Sequence, residues 1–360
     1  MCEDPVVLKR QKSSRSGGDT PDSRPTSLKE LAAHLNLSPT TLSLVLNGSP
    51  GADSIPQETQ DRIFAAAMRF QYRPNFLARS LRASRSYAIG VMVPELSDGY
   101  SSMVLGGIED RLTEAGYVHL ATSHRHSKTN LDLLPRMLYE RCVEGVIVVD
   151  TPYELKIPLP VVSVSGHRND PGVTNIILNH DRAAELALGH LKSLGHRRIA
   201  VIKGQNFSSD TVPRWLSIRK AARTLGLTLD PACVVQLEGD SPSPETGYRA
   251  AQRLLARGAA FTALFAFNDV SAFGAVRALR EKGRDVPGEV SVIGFDDIWG
   301  TAYHIPALTT IRQPLRAMGV LAADTVLTRI REGNSVDIPA VLQVEPEMIV
   351  RESTGPAPPA

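Results

Sequence analysis

A basic segment between residues 69 and 85 is the feature of this sequence best suited to binding a charged partner. It contains five arginines and no Asp or Glu. Guanidinium groups bind phosphate oxygens through paired N–H donors, so the segment is suited to a polyanion. The whole chain of 360 residues has a formal charge of only +2, from 40 Lys and Arg against 38 Asp and Glu, and this near balance conceals the local patch.

A second set of polar side chains follows two apolar runs in the last third of the chain. Asn268 and Asp269 come directly after one predicted strand, and Asp296 and Asp297 come after another. Ligands of α/β domains bind at the carboxyl ends of strands, so both pairs are expected where a small molecule binds. A helix N-cap is the alternative for Asn268 and Asp296, and the two roles can coexist. For Asp269 and Asp297 a capping or structural role is favoured.

Three short helices are predicted directly before the basic segment. The first begins with a capping box at Ser27 and Glu30, and its apolar residues recur at i, i+3, i+4 and i+7. The second begins at the N-cap Ser38 with Pro39 in the first helical position, and a third follows the loop at 48–54. Two helices joined by a tight turn are typical of the helix-turn-helix, whose second helix enters the major groove of DNA. A packed three-helix subdomain without DNA function is the alternative.

The exposed side of the second helix offers small hydroxyl and apolar groups rather than charged ones. Threonine methyls and Leu44 are suited to thymine methyls, and the hydroxyls to phosphates or base edges. Arg, Lys, Gln and Asn, which read bases through paired hydrogen bonds, are absent from that side. Residues 27–68 carry two Lys or Arg against four Asp or Glu, a net charge of −2. Most electrostatic attraction to DNA must therefore come from the basic segment.

Beyond residue 86 short apolar runs alternate with helical stretches. Strands are predicted at 87–93, 145–149, 160–164, 198–202, 262–267 and 290–295, with helices near 101–116, 130–142, 180–194, 213–226, 245–258 and 269–283. Such alternation indicates parallel sheets covered on both faces, and about 260 residues exceed one core. The predicted fold class is a small all-α helix-turn-helix headpiece plus an α/β two-lobed domain.

Composition and missing motifs narrow the class of protein. Three widely spaced cysteines exclude a disulfide scaffold, and no apolar run reaches the length of a membrane span. We therefore expect a cytoplasmic protein with no membrane contact. Phosphate-binding loops, a nucleophile elbow and metal-ligand spacing are absent, which predicts no enzyme activity, no metal and no cofactor. His124 and His126 are expected in an exposed loop. A solute-binding protein, the other rival, would need a signal peptide and would not need residues 27–86.

Motifs along nearly all of residues 27–353 resemble the lactose-repressor family. Those of the headpiece and hinge are Leu37–Gly48, Tyr72–Asn75 and Ala78–Leu81. Those of the regulatory part are Ile89–Pro94, Arg141–Val148, Leu194–Ala200, Phe267–Asp269, Val292–Asp297 and Leu308–Pro314. The resemblance implies a homodimeric transcriptional repressor that binds a palindromic DNA operator. Its effector domain is expected to be periplasmic-binding-protein-like (type I), and a small-molecule effector is expected between the lobes.

The domain boundaries combine these patterns with the resemblance. We expect a disordered tail at 1–25, a helix-turn-helix headpiece at 26–71, a hinge helix or linker at 72–86, an effector and dimerisation domain at 87–353, and a disordered tail at 354–360. Within the effector domain the N-lobe is assigned about 87–178 and 311–337. The C-lobe is assigned about 179–310 and 338–353.

The resemblance also implies which residues touch DNA. The hinge folds on the operator, pairs with its dimer mate in the minor groove, and inserts Leu81 as a wedge between bases, the alternative being a core leucine. Phosphate contact is favoured over base readout for Arg79 and Arg82. The full set of expected DNA contacts is Ser38, Pro39, Thr40, Thr41, Ser43, Leu44, Asn47, Tyr72, Asn75, Ala78, Arg79, Leu81 and Arg82.

For the effector, the resemblance implies contacts from Tyr100, Arg214, Asn268 and Asp296. A sugar or sugar derivative is the family expectation, and a purine or nucleoside acting as corepressor is the alternative. The sequence departs from the family pattern at Leu44, at the longer loop after Asn47, and at two serines. Ser165 stands where an aspartate is common, and Ser241 where many relatives have an aromatic residue. These departures leave the operator sequence and the effector open.

Overall fold

The structure is a computed structural model that describes residues 27–49, 51–72, 85–151, 157–168, 170–240, 243–333 and 337–359. The chain divides into two compact units between residues 84 and 85. The predicted tail at 1–25 and residues 73–84 of the predicted hinge lie outside the described residues. Within the described ranges, no helix has both the length and the apolar character needed to cross a membrane.

The first unit contains short helices that begin where the sequence predicts. Its described helices are α1 (Leu28–Leu35), α2 (Pro39–Leu46) and α3 (Gln57–Arg69), with a 3-10 turn at Ala52–Ser54. The Oγ of Ser27 accepts a hydrogen bond from the Glu30 N–H at 3.2 Å, and Glu30 Oε2 accepts from the Ser27 N–H at 2.8 Å. This confirms the predicted capping box of α1.

One fully buried side chain from each helix forms the centre of this unit. Leu31 of α1, Leu42 of α2 and Ile63 of α3 are each 0% exposed and belong to one apolar cluster. Burial of such a side chain contributes roughly 1.5–3 kcal/mol. Phe70, directly after α3, packs at the edge of the same cluster.

The second unit contains two sheets, each covered by helices on both faces. The first sheet has the order β11-β5-β4-β3-β1-β2, formed by β1 (Ala88–Val93), β2 (Val118–Ser123), β3 (Gly145–Val149), β4 (Val161–Val164), β5 (Thr174–Leu178) and β11 (Val341–Val344). The second has the order β12-β10-β9-β8-β6-β7, formed by β6 (Ile199–Lys203), β7 (Val234–Gln236), β8 (Ala263–Phe265), β9 (Ser291–Asp296), β10 (Thr309–Arg312) and β12 (Glu347–Ile349). Pairing is parallel throughout except between β10 and β12. The predicted parallel sheets are confirmed.

Helices fill the intervals between strands and divide into two lobes, one around each sheet. They are α4 (Gly99–Glu114), α5 (Lys128–Glu140), α6 (His180–Ser193), α7 (Thr211–Thr224), α8 (Pro244–Ala256), α9 (Asp269–Glu281) and α10 (Leu315–Glu332). Apolar residues of α4 and α10 pack on one face of the first sheet and those of α5 on the other. On the second sheet, α8 and α9 cover one face and α6 and α7 the other.

Helices α4 and α10 approach each other backbone to backbone. A Cβ at Gly107 would lie 2.0 Å from the carbonyl oxygen of Arg316, and one at Gly319 would lie 2.1 Å from that of Val104. No side chain fits in either place, so glycine at both positions sets the spacing of the helices. This packing holds α10 against the first lobe.

The described chain passes between the lobes at three places, and two of them differ from the predicted boundaries. The passages lie between β5 and α6, between β10 and α10, and between β11 and β12. Residues 338–353 were expected in the second lobe, but β11 pairs in parallel with β5 of the first sheet. Residues 311–312 were expected in the first lobe, but they pair with β9 of the second sheet. The expectations were wrong for 341–344 and for 311–312, because strand partners are set by distant parts of the chain, whereas β12 lies in the second lobe as expected.

The C-terminal segment 354–359 is ordered, so the expectation of a disordered tail there was wrong. The Gly355 N–H donates to Ser291 Oγ at 3.0 Å, and the Ala357 N–H donates to the carbonyl of Leu194 at 2.8 Å. A ring nitrogen of the buried His196 lies 3.0 Å from the Gly355 carbonyl. Buried polar groups need partners, and this segment supplies them.

Candidate functional site

The start of α2 exposes three of the side chains expected to touch DNA. Ser38, Pro39 and Thr40 are exposed, whereas Thr41 is half-buried. Ser38 Oγ accepts from the Thr41 N–H at 3.0 Å and lies 2.8 Å from Thr41 Oγ1. The Ser38 hydroxyl therefore caps the helix and holds the Thr41 hydroxyl, which leaves the Thr40 hydroxyl the most accessible of the three.

The rest of α2 presents a neutral surface that is partly covered. Ser43 and Leu44 are half-buried, and the Leu44 methyls lie 3.5 Å from the position a Cβ of Gly51 would take. Asn47 is exposed, and its Nδ2 donates to the Ser43 carbonyl at 2.7 Å. Tyr72 packs at the edge of the apolar cluster of the unit. The other expected contacts lie outside the described residues: Asn75, Ala78, Arg79, Leu81 and Arg82.

In the second unit, the four residues expected to contact a small molecule line one cavity between the lobes. Tyr100 comes from the first lobe, and Arg214, Asn268 and Asp296 come from the second. The cavity has a volume of about 290 Å³ and lies at the carboxyl ends of β1, β3, β6 and β9. These four residues come from distant parts of the chain and form part of the polar wall of the cavity. The cavity is large enough for a small organic molecule.

Arg214 lies in α7 and is held rigidly. It is 4% exposed; Nη2 donates to Asp210 Oδ2 at 3.0 Å, and Nη1 donates to the Phe267 carbonyl at 2.6 Å. Its guanidinium carbon lies 3.7 Å from the centre of the Phe295 ring. Asp210 therefore neutralises the charge of Arg214, and the aromatic ring supports the guanidinium plane.

Asp210 was missed from the sequence, although it stands four residues before Arg214. One of its oxygens accepts from His167 Nε2 at 2.5 Å and lies 3.2 Å from His180 Nε2. Burial acts to raise the pKa of Asp210, but the two histidines and Arg214 outweigh it and hold that pKa well below its usual range. Spacing at i and i+4 on a helix was the available signal for the Asp210–Arg214 pair.

Asp296, at the end of β9, lines the cavity and has one oxygen in a side-chain hydrogen bond. It is 5% exposed, and Oδ1 accepts from Gln313 Nε2 at 2.6 Å. Burial raises the pKa of Asp296 above its usual range; Arg214 opposes the rise, and the carboxylates of Asp210 and Asp98 add to it. This carboxylate can therefore accept a hydrogen bond or balance a charge on a bound molecule.

The residues beside these have structural partners. Asn268 caps α9 by accepting from the Ser271 N–H at 2.9 Å. Asp269 is fully buried and accepts from the Ile298 N–H at 3.0 Å, while Asp297 lies within 2.8 Å of two arginines, Arg312 and Arg351. The structural roles favoured for Asp269 and Asp297 are confirmed. Asn268 combines a cap with a place in the cavity wall.

The first lobe contributes Asp98, Tyr100 and Asp150. The Tyr100 hydroxyl donates to Ser165 Oγ at 2.9 Å. Asp98 caps α4, where Oδ2 accepts from the Ser101 hydroxyl at 3.0 Å, and burial raises the pKa of Asp98 to about 6. Burial, and then the carboxylate of Asp210, raise the pKa of Asp150 to about 7. Neither aspartate was predicted, because each follows its strand without a recognisable motif.

His124 and His126 were expected in an exposed loop, and this expectation was wrong. His124 is 0% exposed, with a ring nitrogen 3.3 Å from the Val149 carbonyl. His126 stacks on Phe207 with ring centres 4.2 Å apart, and both rings line the cavity. Burial lowers the pKa of His126 to about 4, so this ring is neutral near pH 7. Ser165 lies behind Tyr100, and Ser241 lies outside the described residues.

Comparison with known proteins covers both units. Residues 188–354 match the family model of a periplasmic binding protein-like domain. The HTH-type transcriptional repressor PurR of Haemophilus influenzae is 30% identical over 338 residues, which are 91% of this chain and 98% of that protein. PurR of Aliivibrio fischeri is 31% identical over 336 residues, which are 91% of this chain and 97% of that protein.

Solved structures give the same result. The lac repressor dimer bound to operator and the anti-inducer ONPF is similar with a TM-score of 0.81 and 25% identity, over 92% of this chain and 100% of that one. The complex of the transcriptional regulator CelR with cellobiose has a TM-score of 0.66 and 26% identity, over 92% and 100% of the two chains. The likeness therefore extends from the helices of the first unit to the two-lobed second unit.

Proposed function

Since this chain belongs to the lactose-repressor family of transcriptional regulators, we propose that it binds a palindromic operator as a homodimer and responds to a small molecule held between its lobes. Its relatives are repressors rather than enzymes. The observation that supports the proposal best is the convergence of Tyr100, Arg214, Asn268 and Asp296 on one cavity in a chain that also carries a capped helix-turn-helix.

The first unit supplies the proposed DNA contacts. We assign the exposed start of α2, from Ser38 to Thr40, to the major groove. The other expected contacts of this unit support this surface or reach the backbone phosphates: Thr41, Ser43, Leu44, Asn47 and Tyr72. Because α2 carries no charged side chain, affinity for DNA depends on the basic segment, including Arg79 and Arg82.

In the hinge, we propose that Leu81 acts as the wedge in the minor groove and that Asn75 and Ala78, which precede it, also contact DNA. A short segment rich in arginine gains a helix most readily on DNA, because phosphates relieve the repulsion between guanidinium groups. If the hinge folds on the operator, operator affinity depends on the spacing of the two hinges in the dimer. That spacing depends in turn on the arrangement of the second units.

Effector and operator are thermodynamically linked. If the molecule between the lobes favours a different arrangement from the one that DNA favours, each weakens the binding of the other by the same factor; a corepressor strengthens it by the same factor. A sugar or sugar derivative is the favoured class, and CelR bound to cellobiose is a relative of that kind. A purine or nucleoside corepressor is the alternative, since repressors named PurR are 30–31% identical.

The test is binding of the full chain to palindromic sequences upstream of its own gene. Fluorescence anisotropy over a series of salt concentrations should give a linear fall of log affinity with log salt. Leu81→Ala should weaken specific binding by about tenfold, whereas Met68→Ala, at an exposed position of α3, should not. Absence of salt-dependent binding to any such site, or unchanged affinity of Leu81→Ala, would contradict the proposal.

A further inference from the structure

Carboxylates outnumber arginines in the wall of the interlobe cavity. Arg125 and Arg214 are the arginines of the wall. The carboxylates are Glu95, Asp98, Asp150, Asp210, Asp240 and Asp296. Burying an unpaired negative charge costs free energy, so a positively charged group would stabilise this excess of carboxylates.

Both arginines already have partners. Arg125 lies at the rim, 71% exposed in its side chain, with Nε 3.5 Å from Glu95 Oε2. Arg214 is bonded to Asp210 and to the Phe267 carbonyl. Each guanidinium group therefore already has one carboxylate partner, although the buried Nε of Arg214 has no hydrogen-bond partner.

Three inner carboxylates form no ion pair with an arginine or lysine of the described residues: Asp98, Asp150 and Asp296. Arg214 attracts Asp296, but burial still raises the pKa of that carboxyl to about 7. Asp98 accepts from Ser101, and Asp296 accepts from Gln313. Asp150 accepts from the Ser209 N–H at 2.7 Å and lies 4.0 Å from His126, a neutral ring at pH 7. Hydrogen bonds from neutral donors satisfy the oxygens in part and leave the charge unbalanced.

All three carboxylates line the same cavity between the lobes. Asp98 and Asp210 are close enough to Asp296 to raise its pKa, and Asp210 raises the pKa of Asp150. Tyr100 lines the same cavity, and burial, then Asp210, Asp150 and Asp296, raise the pKa of Tyr100 well above its usual value. Negative potential from both lobes therefore converges beside the Tyr100 ring.

We propose, on the basis of the effector role assigned to this cavity, that the effector is a small polyhydroxylated compound with a primary amine, whose ammonium group lies between Asp98, Asp150 and Asp296. A volume of about 290 Å³ is far larger than an inorganic cation requires. The rings of Tyr100, Phe207 and Phe267 in the wall suit an organic ammonium, which aromatic faces attract. Hydroxyl groups of the ligand would be left for the remaining polar wall, which includes Asn268.

A neutral sugar would leave these three carboxylates without a counter-ion. They would then bind protons or keep their mutual repulsion, and neither outcome favours the ligand. One ammonium group balances the charge of one carboxylate and lowers the repulsion among all three. The ratio of the affinity for an amine to the affinity for its neutral parent therefore distinguishes an ammonium site from a site for neutral sugars.

The experiment uses full-length protein without DNA and measures binding by calorimetry at pH 7. The probes are D-glucose, D-galactose, D-ribose and adenosine, each beside its primary-amine and acetamido derivatives. We expect at least one amine to bind, about tenfold or more tighter than both of its neutral counterparts. A neutral member that binds as tightly as its amine counterpart overturns the proposal, and so does failure of every amine to bind.

Variants with unchanged shape then locate the effect. Asp296→Asn and Asp98→Asn remove a charge, and asparagine keeps the helix cap at position 98. Each should reduce the preference for the amine over its parent, whereas Asp132→Asn, exposed on α5, should leave it unchanged. An unchanged preference in both cavity variants overturns the placement of the ammonium. Operator affinity measured without any probe tests the proposed function separately, so the two failures are distinguishable.

Discussion

Asp150 at the end of β3 in the first lobe accepts a 2.7 Å hydrogen bond from the backbone N–H of Ser209 in the second lobe. The Ser209 hydroxyl lies within hydrogen-bonding distance of both Asp150 and the Ser165 carbonyl. His167 of the first lobe bonds Asp210 of the second in the same way. The lobes therefore meet through polar contacts, and these are the contacts a bound molecule can change.

Asp150→Asn is expected to stabilise the ligand-free protein at high pH. The pKa of Asp150 is raised to about 7, whereas an unfolded aspartate titrates near about 3.9, so the ionised group destabilises the fold above pH 7 and the penalty fades as the pH falls. Asparagine retains an acceptor for Ser209 and never ionises. Urea unfolding should show a gain of roughly 2–4 kcal/mol at pH 8 that shrinks toward zero by pH 4. The same gain in Asp132→Asn, or a gain independent of pH, would contradict this.

Ser209→Ala is expected to loosen the contact between the lobes without unfolding either. The backbone N–H still reaches Asp150, but the hydroxyl contacts to both Asp150 and Ser165 disappear. A hydrogen bond contributes about 1 kcal/mol, so amide hydrogens of residues 208–210 should exchange about fivefold faster. Ser193→Ala, which removes only a local bond to His190, is the matched control. Equal exchange in the wild type and Ser209→Ala would show that the hydroxyl does not hold the lobes.

Arg214→Met is expected to cost stability and the effector response together. The change leaves the buried Asp210 carboxylate without its guanidinium partner, and breaking such a pair costs about 3–5 kcal/mol. Urea unfolding measures the loss, and the thermal shift produced by any bound probe should vanish. Arg219→Met, exposed on the same helix, should change neither quantity. Similar losses in both variants would remove the special role of Arg214.

Two substitutions at Ser38 separate helix capping from DNA contact. Ser38→Ala removes the acceptor for the Thr41 N–H and should destabilise the first unit by about 1 kcal/mol. Ser38→Asp keeps a capping oxygen, so thermal stability should stay near that of the wild type. Its negative charge would face phosphates, so operator affinity by anisotropy should fall. Retained affinity in Ser38→Asp would place Ser38 away from DNA.

Arg79→Gln and Arg82→Gln should change how operator affinity depends on salt. Each phosphate contact contributes about 0.9 to the slope of log affinity against log salt, so each variant should lower the slope by about that amount. The test is a titration at several salt concentrations. Arg249→Gln, at an exposed position paired with Glu245 in the second unit, should leave the slope unchanged. A change in affinity with an unaltered slope would indicate a structural role for these arginines.

Local sequence signals predicted the parts of the fold that depend on neighbouring residues. The caps at Ser27 and Ser38 satisfy N–H groups three residues away, and the strand before Asp296 is a continuous apolar run. Asn268 and Asp296 lie at the same edge of one sheet because their strands are parallel. Their arrival in a single cavity follows from that rule.

Contacts between distant residues could not be predicted in the same way. β11 pairs with β5 across more than 160 positions of the chain, and its residues alternate between exposed and half-buried like an edge strand. His167 of the first lobe reaches Asp210 of the second only where the lobes meet. The buried ring of His124 has a hydrogen-bond partner, the Val149 carbonyl, that lies 25 positions further along the chain. Residues near 124 in the sequence therefore do not predict its burial.

Two of the three passages between the lobes are hydrogen-bonded to each other, and the remaining one contacts the cavity wall. The Asn179 N–H of the first passage donates to the Val344 carbonyl of the third at 2.9 Å, and Gln313 of the second holds Asp296 in the cavity wall. A single cut in one passage leaves two covalent tethers, so limited proteolysis there would nick the domain without releasing a lobe. Three tethers also restrict sliding and leave bending as the available motion. A ligand that shifts Asp296 therefore acts, through Gln313, on one of the passages that join the two lobes.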